Sequence, residues 1–283
     1  MKKITMMLLA VCLAFGLTAC GNKDQETKGN QTAGSDAQTT AAESGSGEKG
    51  TFTVGFDADF PPFGYMDENG DYVGFDLDLA AECASRMGKE LVLKPINWDA
   101  KDMELSSGSI DCIWNGFTMN GREADYAFTK SYMDNSQVVV IKKDSGITSL
   151  ADLAGKTVLV QTDSSAQAAL LDEENEEMKT LVASFKGLET IADYNTAMME
   201  LESGAVDAVG MDIFVAKYQI EGKEDIYEIL DDHISTEQYG VGFYKANTAL
   251  KDEVEGILME MADDGTFAEI SDKWFGLDVC TLK

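Results

Sequence analysis

The sequence predicts an α/β protein built from two lobes, each a mainly parallel sheet covered by helices. Three observations carry this. Short β-rich runs alternate with helical segments along most of the chain. There are too many such units for one small sheet. And the alternation restarts after Lys143, where a new strand opens at "KTVLVQ".

The elements follow in order. "TFTVGFD" has Phe52, Val54 and Phe56 at period two and reads as a strand. "FDLDLAAECASRMG" reads as a helix, with Asp76 as N-cap and Gly88 as the stop. "ELVLKP" is a second strand, "DAKDMELSSG" a short helix and "DCIWNG" a third strand. "SQVVVIKK" is another β-rich run. After the restart come a helix from about Ser164 to Leu171, a strand at "KGLET", a helix at "NTAMMELESG", a strand at "AVDAVG" and a helix at "IFVAKYQIEG". "YGVGFYK" is strand-like, and "LKDEVEGILMEMADDG" and "TFAEISDKWFG" close the chain with two helices.

In open α/β sheets, ligands bind at the carboxyl ends of the strands. Asp57 ends the first strand. Asn115, Thr118 and Arg122 follow the third. Ser164 and Ser165 stand between "VLVQ" and a helix, and Asp212 follows "AVDAVG". Arg122 offers a planar fork that matches a carboxylate bidentately. Asp57 and Asp212 supply negative charge for an ammonium. One cation with donors, plus separate carboxylates, is what a zwitterion requires. Taken singly, each has a plainer use: Asp57 ends a strand, a serine or Asp212 caps a helix, and Arg122 pairs with Glu123 or Asp125 at the surface.

Composition narrows the classes. A formal charge of −29 argues against nucleic acid, which needs a basic face. His233 is the single histidine and there is no CxxC, which argues against a zinc site. No cofactor is expected. The opening "MKKITMMLLAVCLAFGLTAC" has a basic start, a short apolar run and small residues before Cys20. It reads as a secretory signal, residues 1–20, and "LTAC" matches a bacterial lipobox that makes Cys20 a lipid anchor. Residues 21–50 hold no Val, Ile, Leu, Met or aromatic and read as a disordered tether with a reach of roughly 30 Å. Cys83, Cys112 and Cys280 remain. Buried free thiols and one disulfide among the three both stay open.

The chain also resembles a known family, the extracellular solute-binding proteins of polar amino acid ABC transporters (family 3). The likeness runs through "FDADFPPFGYMDENGDYVGFDLDLA", "LSSGSIDCIWNGFTMNGREADYAFTKSY", "SLADLAGKTVLVQTDSSAQ", "LESGAVDAVGMD" and "MADDGTFAEISDKWFG", in that order. It implies a bilobal type II periplasmic binding-protein fold. Lobe 1 would take residues 51–139 and 241–283, lobe 2 residues 144–236, with hinge crossings near Val140 and Tyr239. It implies that Arg122 and Thr118 grip an α-carboxylate, with a backbone N–H at Gly116 and the Ser165 hydroxyl beside them. Asp212 would hold the α-ammonium. Phe60, Trp98, Asp57 and Asn115 would form the side-chain pocket. Two departures stand out. "TMNGR" is one residue shorter than the usual spacing, so Asn120 is expected to take a neighbouring contact. Asp163 replaces a common Gly and is expected to point out or to meet an ammonium.

The implied function is capture of a polar or cationic amino acid, or cystine, for an ABC permease. The protein would be monomeric, not an enzyme, and held by lipid outside the cell membrane or in a periplasm. The alternatives are an enzyme on the same fold, such as a cyclic acid dehydratase, and a ligand-sensing surface protein. An enzyme would need a general acid or base in the cleft, and a sensor ectodomain would need spanning helices.

Overall fold

The computed structural model describes residues 50–282. The expected signal, the Cys20 anchor and the tether up to residue 49 lie outside the described residues. The elements are β1 (Thr51–Phe56), β2 (Asp59–Phe60), β3 (Gly64–Met66), β4 (Tyr72–Val73), α1 (Phe75–Met87), β5 (Glu90–Pro95), α2 (Lys101–Ser106), β6 (Cys112–Ile113), β7 (Tyr126–Phe128) and β8 (Met133–Lys142). Then come β9 (Thr157–Gln161), α3 (Ser165–Leu170), α4 (Glu176–Ser184), β10 (Gly187–Ile191), α5 (Tyr194–Ser203), β11 (Ala208–Asp212), α6 (Ile213–Ile220), β12 (Tyr227–Ile229), β13 (Ser235–Tyr239), β14 (Gly242–Tyr244), α7 (Thr248–Asp264) and α8 (Thr266–Phe275).

Two main sheets form, as the alternation predicts. The first runs β5-β1-β6-β14-β7, with β1 parallel to β5 and β6 and with β14 antiparallel to its neighbours. The second runs β10-β9-β11-β8-β12, with β13 also pairing β8. A small sheet, β2-β3-β4, precedes α1.

Period-two alternation assigns side chains to the two faces of the second sheet. Val139, Ile141, Val158 and Val160 pack with Leu170 and Met178 on the α3–α4 face. Val138, Val140, Leu159 and Val209 pack with Leu201 and Val215 on the α5–α6 face. In the first sheet Phe52 and Val54 join α1 and α7 in the same large core. Each such fully buried side chain contributes about 1.5–3 kcal/mol.

Two expectations need correction. Asp76 does not cap α1: Gly74 stands at the N-cap without a side-chain bond, and Asp76 is buried in the first turn. There it accepts from the Gly116 N–H at 2.5 Å and the Tyr132 hydroxyl at 3.0 Å. Gly88, in the left-handed region at φ 66°, does end the helix. The crossing expected near Val140 comes earlier, because β8 starts at Met133 and Val140 lies inside the second sheet. Asp134 and Asn135 are weak strand formers, yet the strand continues through them. Asn135 and Gln137 have buried polar partners that hold the extended backbone in place.

The chain therefore crosses at 129–132 and returns between Tyr239 and Gly242. The two crossings run side by side: the Thr129 N–H donates to Val241 O, and the Tyr132 N–H to Tyr239 O. Helix α4 is an addition to the expected elements. It begins on an Asn175 cap with Glu176 and Glu177 in its first turn.

Candidate functional site

The strand carboxyl ends of both sheets face each other across a cleft, and the lobes touch at its rim. A narrow cavity of about 10 Å³ lies there, lined by Phe60, Trp98, Asn115, Gly116, Gln161, Ser164, Ser165 and Asp212. Six of the nine predicted ligand-binding residues are on this wall. Asp57 lies in an adjoining groove that shares Trp98, and Thr118 and Arg122 lie in another that shares Ser165.

Arg122 is half-buried. Its Nη1 donates to Ser165 Oγ at 2.9 Å, across the cleft, and to Thr118 O at 3.1 Å. Its guanidinium stacks over Phe117 at 5.2 Å. Among the described residues no ion pair involves Arg122, so it does not pair with Glu123 or Asp125. Ser164, not Ser165, caps α3, its side chain accepting from the Gln167 N–H. That leaves the Ser165 hydroxyl facing Arg122.

Asp212 ends β11 on the opposite wall and is buried. Its Oδ1 accepts from Asn135 Nδ2 at 2.8 Å, Gln137 Nε2 at 2.7 Å and the Tyr239 hydroxyl at 2.5 Å. Burial, together with the neighbouring Glu237 carboxylate, raises its pKa. Asp57 accepts from the Asp59 N–H at 2.9 Å and from Gln161 Nε2, across the cleft, at 2.6 Å. Burial pushes it up to about 6, against those hydrogen bonds. It is therefore mostly ionised at pH 7. Asn115 Oδ1 accepts the Asp57 N–H at 3.0 Å, and Asn115 Nδ2 is buried without a partner. Phe60 packs on Tyr194 at 5.9 Å, and Trp98 meets Phe117 edge-on at 5.6 Å.

Two expected donors are engaged elsewhere. The Gly116 N–H goes to Asp76, so it does not face the cavity as a free donor. Gly116 has φ +57°, and Phe60 and Tyr239 lie so close that a Cβ there would sit 3.1 Å from each. The Thr118 hydroxyl donates to Glu237 Oε1 at 2.9 Å, which uses its one hydrogen. Asn120 accepts the Gln238 N–H at 2.8 Å. Asp163 meets an ammonium, but one of the protein's own: its carboxylate pairs with Lys101 across the cleft, and its carbonyl accepts from Trp98 Nε1 at 3.2 Å. Lys101 also lies over the Trp98 ring at 5.1 Å.

Sequence reasoning missed Glu237, Asn135, Gln137, Gln161, Tyr239 and Lys101. Alternation within "MDNSQ" and "STEQY", once both are known to be strands, places Asn135, Gln137, Glu237 and Tyr239 on inward faces. Cys83 and Cys112 are buried free thiols, and no disulfide forms among the described residues. No group of His, Cys, Asp or Glu among the described residues is arranged to hold a metal, and no described helix is long and apolar enough to cross a membrane.

Comparison with known proteins agrees with this architecture. The L-cystine-binding protein TcyA of Bacillus subtilis is 32% identical over 99% of this chain and 99% of its own. The arginine-binding extracellular protein ArtP of the same organism is 30% identical, over 97% and 98%. An ABC uptake transporter substrate-binding protein from Streptococcus pneumoniae, solved with bound histidine, superposes with a TM-score of 0.77 at 37% identity, over 82% of this chain and 94% of that one. The model of the bacterial extracellular solute-binding proteins, family 3, matches residues 52–277, and the chain belongs to that family.

Proposed function

We propose that this protein captures a free amino acid, cationic or neutral and polar, between its lobes and hands it to an ABC permease. One observation carries the reading. Among the described residues, a half-buried guanidinium without a carboxylate partner stands on one wall of the cleft, and a buried carboxylate without a cation stands on the other. That polarity matches an α-carboxylate and an α-ammonium. Arg122 and Ser165 belong to different lobes, so a carboxylate held by both would tie the lobes together.

The side chain would enter between Phe60 and Trp98. Asp57 disfavours a second carboxylate there, and the aromatic faces favour a cation. Asp59, Asp99, Glu104 and Asp193 line the groove beyond Asp57 and extend the negative field. This supports a ligand of the kind bound by the arginine-, cystine- and histidine-binding relatives. Binding without turnover, lipid anchoring at Cys20, a monomeric state and lobe boundaries at the two crossings belong to the same proposal. The family's extracellular character supports delivery from outside the cell membrane.

The test is calorimetry against all common amino acids and cystine. A cationic or neutral polar ligand is expected to bind tightest, and Arg122→Ala to abolish binding with the fold intact. Removing one partner of a buried charge pair costs about 3–5 kcal/mol, a loss of more than a hundredfold. Affinity in Arg122→Ala within a few-fold of the parent would remove Arg122 from the site. Glutamate or aspartate as tightest ligand would overturn the role given to Asp57.

A further inference from the structure

Asp212 does not stand alone. Glu237, on β13, is buried beside it and is held by the same two side chains. Asn135 Nδ2 donates to Asp212 Oδ1 at 2.8 Å and to Glu237 Oε1 at 2.6 Å. Gln137 Nε2 donates to the same two oxygens, at 2.7 Å each. Each planar NH2 has two hydrogens, so a single amide bridges the two carboxylate oxygens and holds them close together. The cradle is completed by the Tyr239 hydroxyl on Asp212 and the Thr118 hydroxyl on Glu237.

Among the described residues, every hydrogen-bond contact in this cradle is a donor and none is a cation. The other ionisable group packed against it is Tyr194 of α5, a buried phenol that feels both carboxylates and Asp57 beyond them. Arg122 reaches the Thr118 carbonyl but forms no ion pair with either acid. Two buried carboxylates at this separation do not both ionise readily without a counter-ion. The donors stabilise one negative charge well, and burial opposes the second.

We propose that Glu237 is the second carboxylate of the ammonium site, and that in the ligand-free protein Asp212 beside it holds a proton that leaves when a ligand ammonium enters. This rests on the zwitterion reading of the cleft. The balance is simple. The ligand brings one positive charge into the cradle, one proton leaves for solvent, and no covalent bond of the ligand changes. The ammonium and the proton compete for the same place, so affinity rises with pH over the range in which Asp212 gives up its proton, up to tenfold per pH unit. Thr118 serves the ammonium side of the ligand through Glu237, where its one hydroxyl hydrogen is used.

The test is calorimetry on the intact protein with L-arginine, L-glutamine and L-cystine, each at one pH in buffers of different ionisation enthalpy. Wild type is expected to release up to one proton per ligand bound, and Glu237→Gln to lose that release and flatten the pH profile of affinity. Any release caused by Asp57 on meeting a cationic side chain would survive in Glu237→Gln and is so separated. Infrared difference spectra of the unmutated protein give a measurement independent of whether Glu237→Gln folds: a carboxylic-acid C=O band is expected to vanish on ligand addition. Tight binding with no proton release and no loss of that band overturns the proposal while leaving the zwitterion site standing. Failure of every amino acid to bind overturns the zwitterion reading, and the proposal with it.

Discussion

Asp163→Gly separates the stability of the protein from its hold on a ligand. Asp163 has φ 60°, the one non-glycine residue with positive φ among the described residues. A left-handed conformation costs a non-glycine residue about 1–2 kcal/mol, and glycine removes that cost whether or not the lobes meet. Against this, glycine loosens the unfolded chain by about 0.4–1 kcal/mol. The ligand-free protein is therefore expected to keep its Tm or gain slightly. The Lys101 ion pair is a different matter, because it spans the cleft. The Lys101 side chain is only 3% exposed while that of Asp163 is 54% exposed, so the pair itself is worth about 1 kcal/mol. Leaving the buried ammonium without its acceptor adds about 1 kcal/mol more. Both losses fall on the state in which the lobes touch. Since the closed population multiplies the intrinsic affinity, binding is expected to weaken about 5- to 30-fold, mostly through faster dissociation. Stopped-flow tryptophan fluorescence, compared with Trp114→Phe and Trp274→Phe backgrounds that leave Trp98 as the reporter, measures this. Dissociation within twofold of the parent, or a drop of several degrees in ligand-free Tm, would refute the reasoning.

Asp57→Asn is expected to weaken L-arginine by about tenfold while changing L-glutamine less than threefold, by competition calorimetry at low salt. Gly116→Ala is expected to cost about 1–3 kcal/mol of stability in denaturant unfolding, because it meets both a positive φ and 3.1 Å contacts with Phe60 and Tyr239. The ligand-free protein is expected to melt higher at pH 5 than at pH 8. Burial lifts Asp76 to about 7 and raises Asp212 as well. Both have partners that do not span the cleft and both are harder to ionise folded than unfolded, so their contribution is complete below about pH 4 and is lost as pH rises through 6–7, on the order of 4 kcal/mol for Asp76 alone. A Tm that rises from pH 5 to pH 8 would refute it.

Much of the fold was legible because strand and helix periods differ and the glycine stops are local. Gly88 ends α1 as its position in the pattern predicts. Legible in the sequence were candidate residues that the structure brings to the cavity or its adjoining groove: Arg122, Ser165, Asp212, Phe60 and Trp98. The rest depends on contacts between distant segments. Nothing local in "FDLDLA" says that Asp76 turns inward to Gly116 and Tyr132 rather than capping its helix. Nothing local in "TEQYG" pairs Glu237 with Asn135, 102 residues earlier in the chain. Polar residues in "MDNSQ" look like the end of a strand, and only the carboxylates they hold explain why the strand runs on. Asp163 looked out of place in a loop facing a carboxylate until its partner, Lys101, appeared from the other lobe.

These placements also divide the site by how much of it survives when the lobes part. Asn135, Gln137, Glu237, Tyr239 and Asp212 all belong to the second sheet, on β8, β13 and β11, next to the paired crossings at 129–132 and 239–242. Rotation about those crossings moves nearby atoms least, so on the capture reading the ammonium cradle is built before the ligand arrives. Arg122 and Ser165 come from opposite lobes, as do Lys101 and Asp163, and Asp57 and Gln161. Those contacts exist only while the lobes meet. The ammonium is then the first anchor, and the carboxylate completes the guanidinium–hydroxyl clamp that holds the lobes together. A ligand with an ammonium but no carboxylate fills the cradle yet leaves the clamp without its anion. Its differential affinity for the closed state is correspondingly small, and it shifts the equilibrium little. The requirement for both charges therefore follows from where each half of the site is anchored, as well as from the chemistry of the walls.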